Sequence, residues 1–317
     1  MYNYRIADAH CDTIGELYRK ACLKKNCGQL DIARMGEYKN WMQIFAVWTD
    51  ANLGYEKQKK KEDKIIERFF HEVQKNSDKI THVTSADEIN KAWNEKKIAA
   101  LLGIEGADTV RSIEDICSFY RRGVRCITLT WNGSNAIASG VGDENADFGL
   151  TDFGRNAVRK MNELGMLVDV SHISQRAFWD VIDTSSKPIS ATHSNSKTVC
   201  AHRRNLTDEQ FKALCDNGGV AGINYYTSFV NGTDSACIDD IVRHIERFCA
   251  LGGENHIGLG SDFDGIDTAP SDLRGAEDVY KLLDRLLELN YSESTVQKIA
   301  YKNFLRLFGE VLKDCKK

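Results

Sequence analysis

Proline is nearly missing from this chain, with 2 in 317 residues, and no Pro/Gly/Ser-rich linker or low-complexity stretch divides it. That absence argues for one folded domain over residues 1–317. No apolar run is long enough to span a membrane, and polar Asn3, Arg5, Asp8 and His10 break up the start, where a secretion signal needs an apolar core. Nor does a hydrophobic tail close the chain. A soluble cytoplasmic protein without a membrane partner is the expectation. Excess charge of one sign is absent too: 42 basic against 46 acidic residues give a net charge of -4, which offers no basic surface for nucleic acid. The 10 cysteines are not scarce, but no two form a Cys-x-x-Cys pair, and Cys117, Cys126 and Cys249 sit in apolar surroundings. Reduced core thiols are expected in place of a disulfide framework.

What the chain does have is alternation. Eight apolar strand candidates are separated by helical patterns: 4–10, 41–49, 98–105, 124–130, 166–171, 188–192, 219–224 and 256–261. The first leads into a helical spacing of Ile14, Leu17, Tyr18 and Ala21, and the second into a charged helix over 56–75. The lysine-rich start of that helix, 57–64, reads as a solvated face. Further helices are expected at 112–122, 151–164, 174–182, 207–216, 238–251, 277–289 and 293–312, and a Gly/Asn/Ser-rich loop at 131–150. Strand and helix in regular alternation make a parallel sheet. Eight such units at this length predict a closed (β/α)8 TIM barrel.

A barrel of this kind carries its chemistry on the C-terminal ends of its strands. The first candidate strand ends in His10 and Asp12, the third in Glu105, the fifth in His172, the sixth in His193 and the eighth in Asp262. His10 and Asp12 are two apart and share a side of an extended strand. Each has an ordinary reading by itself: a strand-end histidine bonded to backbone, Asp12 as a helix cap, Glu105 as a polar terminus. Asp262 and Asp264 resemble a piece of a calcium loop, but the other ligands of such a loop are missing. Jointly, imidazoles and carboxylates at so many strand tips are the donors of Zn2+ and similar divalent ions.

These residues lie in stretches that resemble the membrane dipeptidase (renal dipeptidase) family, within the amidohydrolase superfamily. The resemblance runs along the whole chain through DAHCD (8–12), IEGAD (104–108), ITLTWN (127–132), VDVSH (168–172), ATHSNSKTVCAHRRN (191–205) and GLGSDFDG (258–265). It implies a (β/α)8 barrel with a binuclear metal site at its C-terminal face, two zinc ions per chain. His10 and Asp12 would bind one ion, His172 and His193 the other, and Glu105 both. Arg204 matches the arginine that binds the substrate's C-terminal carboxylate, with Arg203 the competing candidate, and Asp262 matches the catalytic aspartate.

The implied activity is hydrolysis of dipeptides with a free C-terminal carboxylate. Two cations sharing a carboxylate lower the pKa of a bridging water, and Asp262 would carry its proton to the leaving amine. Another hydrolase of the superfamily, acting on N-acyl amino acids, lactams or lactones, is the alternative, with a non-catalytic binder as a third reading. The resemblance also implies a possible homodimer. One position departs from it. Mammalian members place after the fourth strand a histidine that helps to hold the tetrahedral intermediate, and this chain has Trp131, followed by Asn132. Either Asn132, Asn135 or another group takes over the donor role, or turnover is altered in rate and preference, and Trp131 is read as a wall of the substrate pocket.

Overall fold

In the computed structural model, residues 2–20, 22–143 and 147–312 are described. Nine strands alternate with helices: β1 (Tyr2–Cys11), β2 (Tyr38–Trp48), β3 (Ile80–His82), β4 (Ile98–Glu105), β5 (Val124–Thr128), β6 (Leu167–Asp169), β7 (Ser190–Ala191), β8 (Val220–Ile223) and β9 (Ile257–Leu259). All pairings between these strands are parallel. The order β2-β1-β9-β8-β7-β6-β5-β4 is closed by seven paired positions between β2 and β4, from Met42 with Ala99 to Trp48 with Glu105. The result is an eight-stranded barrel with helices around it. All eight sequence candidates are its staves, and Ala21 lies outside the described residues.

The sequence reading misses β3. It borders the first residues of β4, Ile98–Ala100, on the edge that β5 takes over from Leu102. Three residues are too short to show a period. It also misses the helix Ala86–Asn94, although Ser85 caps it by accepting from the Glu88 N–H, a start signal that the letters carry. The final helix is continuous from Glu293 to Val311, with a wide π turn at Lys298–Lys302.

Branched and aromatic side chains fill the space between barrel and helices, among them Phe69, Phe178, Phe211 and Phe248. The last helix adds Phe304, Leu307 and Phe308 to a second cluster with Ala7, Ala9, Met42 and Leu101. The nine described cysteines are free; Cys126 is buried, whereas Cys117 and Cys249 are only half-buried, because each sits at the edge of its helix's apolar face. No helix among the described residues is long and apolar enough to cross a membrane.

Close packing reaches its limit where β7, β8 and β9 meet. A Cβ on Gly260 would stand 1.9 Å from the Thr192 carbonyl oxygen, and one on Gly222 would stand 2.0 Å from the same atom. Only hydrogen fits there. Gly260→Ala is expected to destabilise the fold by about 3 kcal/mol, read from urea unfolding. Gly133→Ala, with nothing within 4 Å of the new Cβ, should change it by less than ~0.5 kcal/mol.

Candidate metal centre

Barrel closure brings the predicted strand-end residues to one mouth. Glu105, the last residue of β4, lies at the centre. Its Oε2 is 3.5 Å from His10 Nε2, and its Oε1 is 3.0 Å from His172 Nε2 and 3.5 Å from His193 Nε2. His10 Nε2 is also 3.5 Å from Asp12 Oδ2 and 3.7 Å from Asp262 Oδ1. Two sets, His10–Glu105–His193 and His10–Asp12–Asp262, each hold their ligand atoms within 4.8 Å of one another. His172 and Asp262 sit just beyond β6 and β9 with φ of 68° and 63°, a left-handed backbone that non-glycine residues seldom adopt. That conformation turns both side chains back over the mouth.

The donor chemistry fits divalent cations. Thr192 Oγ1 donates its single proton to Asp169 Oδ2 at 2.7 Å, so it must accept from His193 Nδ1–H at 2.9 Å. The lone pair of His193 then sits on Nε2. His172 Nδ1 lies 2.9 Å from Asn132 Oδ1, an acceptor, so its Nε2 also presents a lone pair. The two Nε2 atoms are 2.9 Å apart, and buried His10 Nε2 lacks a hydrogen-bond partner. Lone pairs facing each other at this distance repel unless positive charge lies between them.

The acid–base balance points the same way. Burial opposes charge on His10, yet Glu105 and Asp12 outweigh it and hold the imidazole well above its usual range. Burial, and then the neighbouring Glu105 charge, push Asp12 up to about 7. Burial also raises Asp262. His172 is driven down to about 4 by burial and then by Arg204, and His193 falls well below its usual range by burial and then by His10. Burial alone would raise Glu105, but the charge on His10 holds it well below the carboxylate range. The carboxylates around His10 thus favour positive charge at its ring.

Asp8 and Asn224 escape sequence reasoning, and Asp264, Asn135 and Asn132 take other parts than those read from the sequence. Asp8 accepts from the Ser261 and His10 N–H groups, tying β1 to β9. Asn224 Nδ2 donates to Asp262 Oδ2 at 2.8 Å. Asp264 is a loop clamp, accepting from Thr13 Oγ1 at 2.6 Å and the Gln29 N–H at 2.7 Å. Asn135 is spent on its own loop, donating to the Leu129 carbonyl and accepting from the Ile137 N–H. Asn132 holds His172. Polar letters in loops carry no mark of such pairings. Of the two arginines, Arg203 is exposed and Arg204 is buried; the guanidinium of Arg204 lies 5.3 Å from the Phe229 ring centre and its Nη2 donates to the His193 carbonyl. Trp131 stands 5.2 Å from Trp48 and 6.1 Å from His172, ring centre to ring centre. Both tryptophans line a cavity of about 430 Å3 that opens over Glu105 and Asp262.

A closed (β/α)8 barrel with a histidine–carboxylate cluster at the C-terminal mouth defines a class, the metal-dependent barrel hydrolases. Comparison with known proteins narrows it. Residues 1–316 match the membrane dipeptidase family, peptidase family M19, and the chain belongs to that family of metallo-dipeptidases. An uncharacterized dipeptidase of Schizosaccharomyces pombe is 37% identical over 237 residues, 71% of this chain and 56% of that protein. A Klebsiella pneumoniae protein from the pqqA 5' region is also 37% identical over 237 residues, 72% of this chain and 87% of its own length. Among solved structures, a Rhodobacter sphaeroides metallopeptidase liganded with a phosphinate mimic of the dipeptide L-Ala-D-Ala shares the fold. Its TM-score is 0.89 at 23% identity, over 98% of this chain and 99% of that one.

A carboxyl whose folded pKa lies above its ordinary value stabilises the fold only while protonated. For Asp12 that contribution is complete below its ordinary 3.8 and is lost as pH rises through about 7. His10, also raised, keeps its proton above its ordinary 6.5. An entering cation must displace these protons, whereas His172 is already neutral above about 4. Affinity for a divalent cation, measured by competition with a chelator, is therefore expected to climb as pH rises through about 7. A flat profile would contradict this.

Proposed function

We propose that the protein is a dipeptidase that uses two zinc ions and acts on peptides with a free C-terminal carboxylate, the whole chain working as one domain. His10 and Asp12 would hold one ion, His172 and His193 the other, and Glu105 both. The observation that carries this reading is the division of Glu105: one carboxylate oxygen faces His10, the other faces His172 and His193. When bound, such ions polarise a carbonyl and make water acidic enough to act as a nucleophile near neutral pH.

The remaining work falls to the chain's own side chains. Asp262 Oδ2 is occupied by Asn224, which leaves Oδ1, on the side of His10, to take a proton from the attacking water. Burial raises the carboxyl's proton affinity, so Oδ1 can hold that proton and release it to the leaving amine. Arg204 is buried and its Nε lacks a hydrogen-bond partner. A planar guanidinium in that state suits a second planar group, the terminal carboxylate, and so favours short peptides. Trp131 and Asn132 flank the substrate, Trp131 as an apolar wall and Asn132 as the group that aims His172.

Asp262→Asn should keep its metal, by elemental analysis, and lose activity by about 10³-fold. Retained turnover would remove Asp262 from the proton path. Arg204→Met should raise KM for free dipeptides by about 50-fold and change cleavage of C-terminally amidated dipeptides far less. Equal losses on both would contradict carboxylate recognition.

A further inference from the structure

Lys61 departs from the solvated helix face on which its neighbours lie. Lys57, Lys60 and Lys64 are exposed and half-buried Lys59 pairs with Asp115, but Lys61 is half-buried with its ammonium 5.1 Å from the centre of the Trp48 ring, and it lines the same cavity as Glu105 and Asp262. No carboxylate pairs with it among the described residues. It is also the one cation among the residues that line this cavity. Of the acids there, Asp12, Glu105 and Asp262 belong to the cluster, and Asp264 is bonded to Thr13 and Gln29. Glu16, which has a partner of its own, and Asp267 complete the acids of the lining.

The barrel order shows which part of a substrate meets Lys61. Lys61 rises from the helix Tyr55–Lys75 that follows β2, and Arg204 from the loop after β7. In the closed order β1-β2-β4-β5-β6-β7-β8-β9 these strands are four apart, on opposite sides of the mouth. With the C-terminal carboxylate at Arg204 and the scissile bond over Glu105, the N-terminal residue lies toward β2. Its side chain would run along Trp48, which pairs with Glu105 in register, beside Trp131, and end at Lys61.

We infer that Lys61, Trp48 and Trp131 form a side-chain subsite that selects dipeptides with an acidic N-terminal residue. This rests on the dipeptidase reading and on Arg204 as the carboxylate anchor. The tryptophans cover the aliphatic stem, and the ammonium, held over an aromatic face and partly desolvated, receives the carboxylate.

The test compares Glu-Ala with Gln-Ala, which differ in charge and hardly in shape. The zinc-loaded protein should show kcat/KM about fivefold higher for Glu-Ala, a ratio that shrinks with added salt, vanishes in Lys61→Met and persists in Lys61→Arg. In parallel, isosteres of both peptides with –CH2–NH– in place of the amide are titrated calorimetrically into wild type and Lys61→Met. The same preference should appear in binding and be lost in the variant. A ratio near one in wild type, or one that survives Lys61→Met, overturns the subsite. Selective isostere binding without cleavage of either peptide would retain the subsite and overturn the dipeptidase reading.

Discussion

The structure turns on one buried carboxylate shared by three imidazoles. Moving Glu105 out of water costs several kcal/mol, and the surrounding nitrogens compensate only if they carry protons or a cation. His10, His172 and His193 cannot all be protonated: His172 and His193 face each other at 2.9 Å, and both are driven toward the neutral form. With Asp12 and Asp262 adding further negative charge, the cluster is stable only around something positive. Such a donor set suits a cation.

A cluster of this kind works only if its members cannot relax away from one another. The supports are outside the mouth. Asp169 fixes Thr192, which fixes His193; Asn132 fixes His172; Asn224 fixes Asp262; Asp8 joins β1 to β9. The backbone contributes as well, through positive φ at His172, Asp262 and Asp264, each costing about 1 kcal/mol. Strain of that size persists where packing overrides it, and the contact of Gly222 and Gly260 with the Thr192 carbonyl leaves β7 no room to yield.

Much of this was legible in the sequence, for a physical reason. A strand buried on both faces must be an unbroken apolar run, and a polar residue that ends such a run stands out; this is how His10, Glu105, His172 and His193 could be found without a structure. The rest has no such contrast. β3 is too short to show a period, and Asn132, Asn135 and Asn224 are alike as letters but do three different things. Arg203 and Arg204 are adjacent and chemically identical, and only the path of the loop buries one and exposes the other. Lys61 was hidden for the opposite reason, since it lies in a run of lysines whose usual fate is solvent, and nothing local says which of them a barrel turns inward.

On the proposed reading, chemistry and selectivity occupy different parts of the fold. The residues that face Glu105 sit at or just beyond strand ends, where closure of the sheet brings them together. Lys61 and Trp131, which line the cavity over Glu105, lie on a helix and a loop, and Arg204 lies on the loop beyond β7. The replacement at Trp131 illustrates the division. An imidazole there could have donated to the reacting carbonyl, but indole cannot coordinate or carry charge, and in this chain it packs beside Trp48 as a wall. The neighbouring Asn132 keeps a polar role by orienting His172. Such an exchange leaves the contacts that fix the cluster to other residues, Asp169, Thr192, Asn132, Asn224 and Asp8.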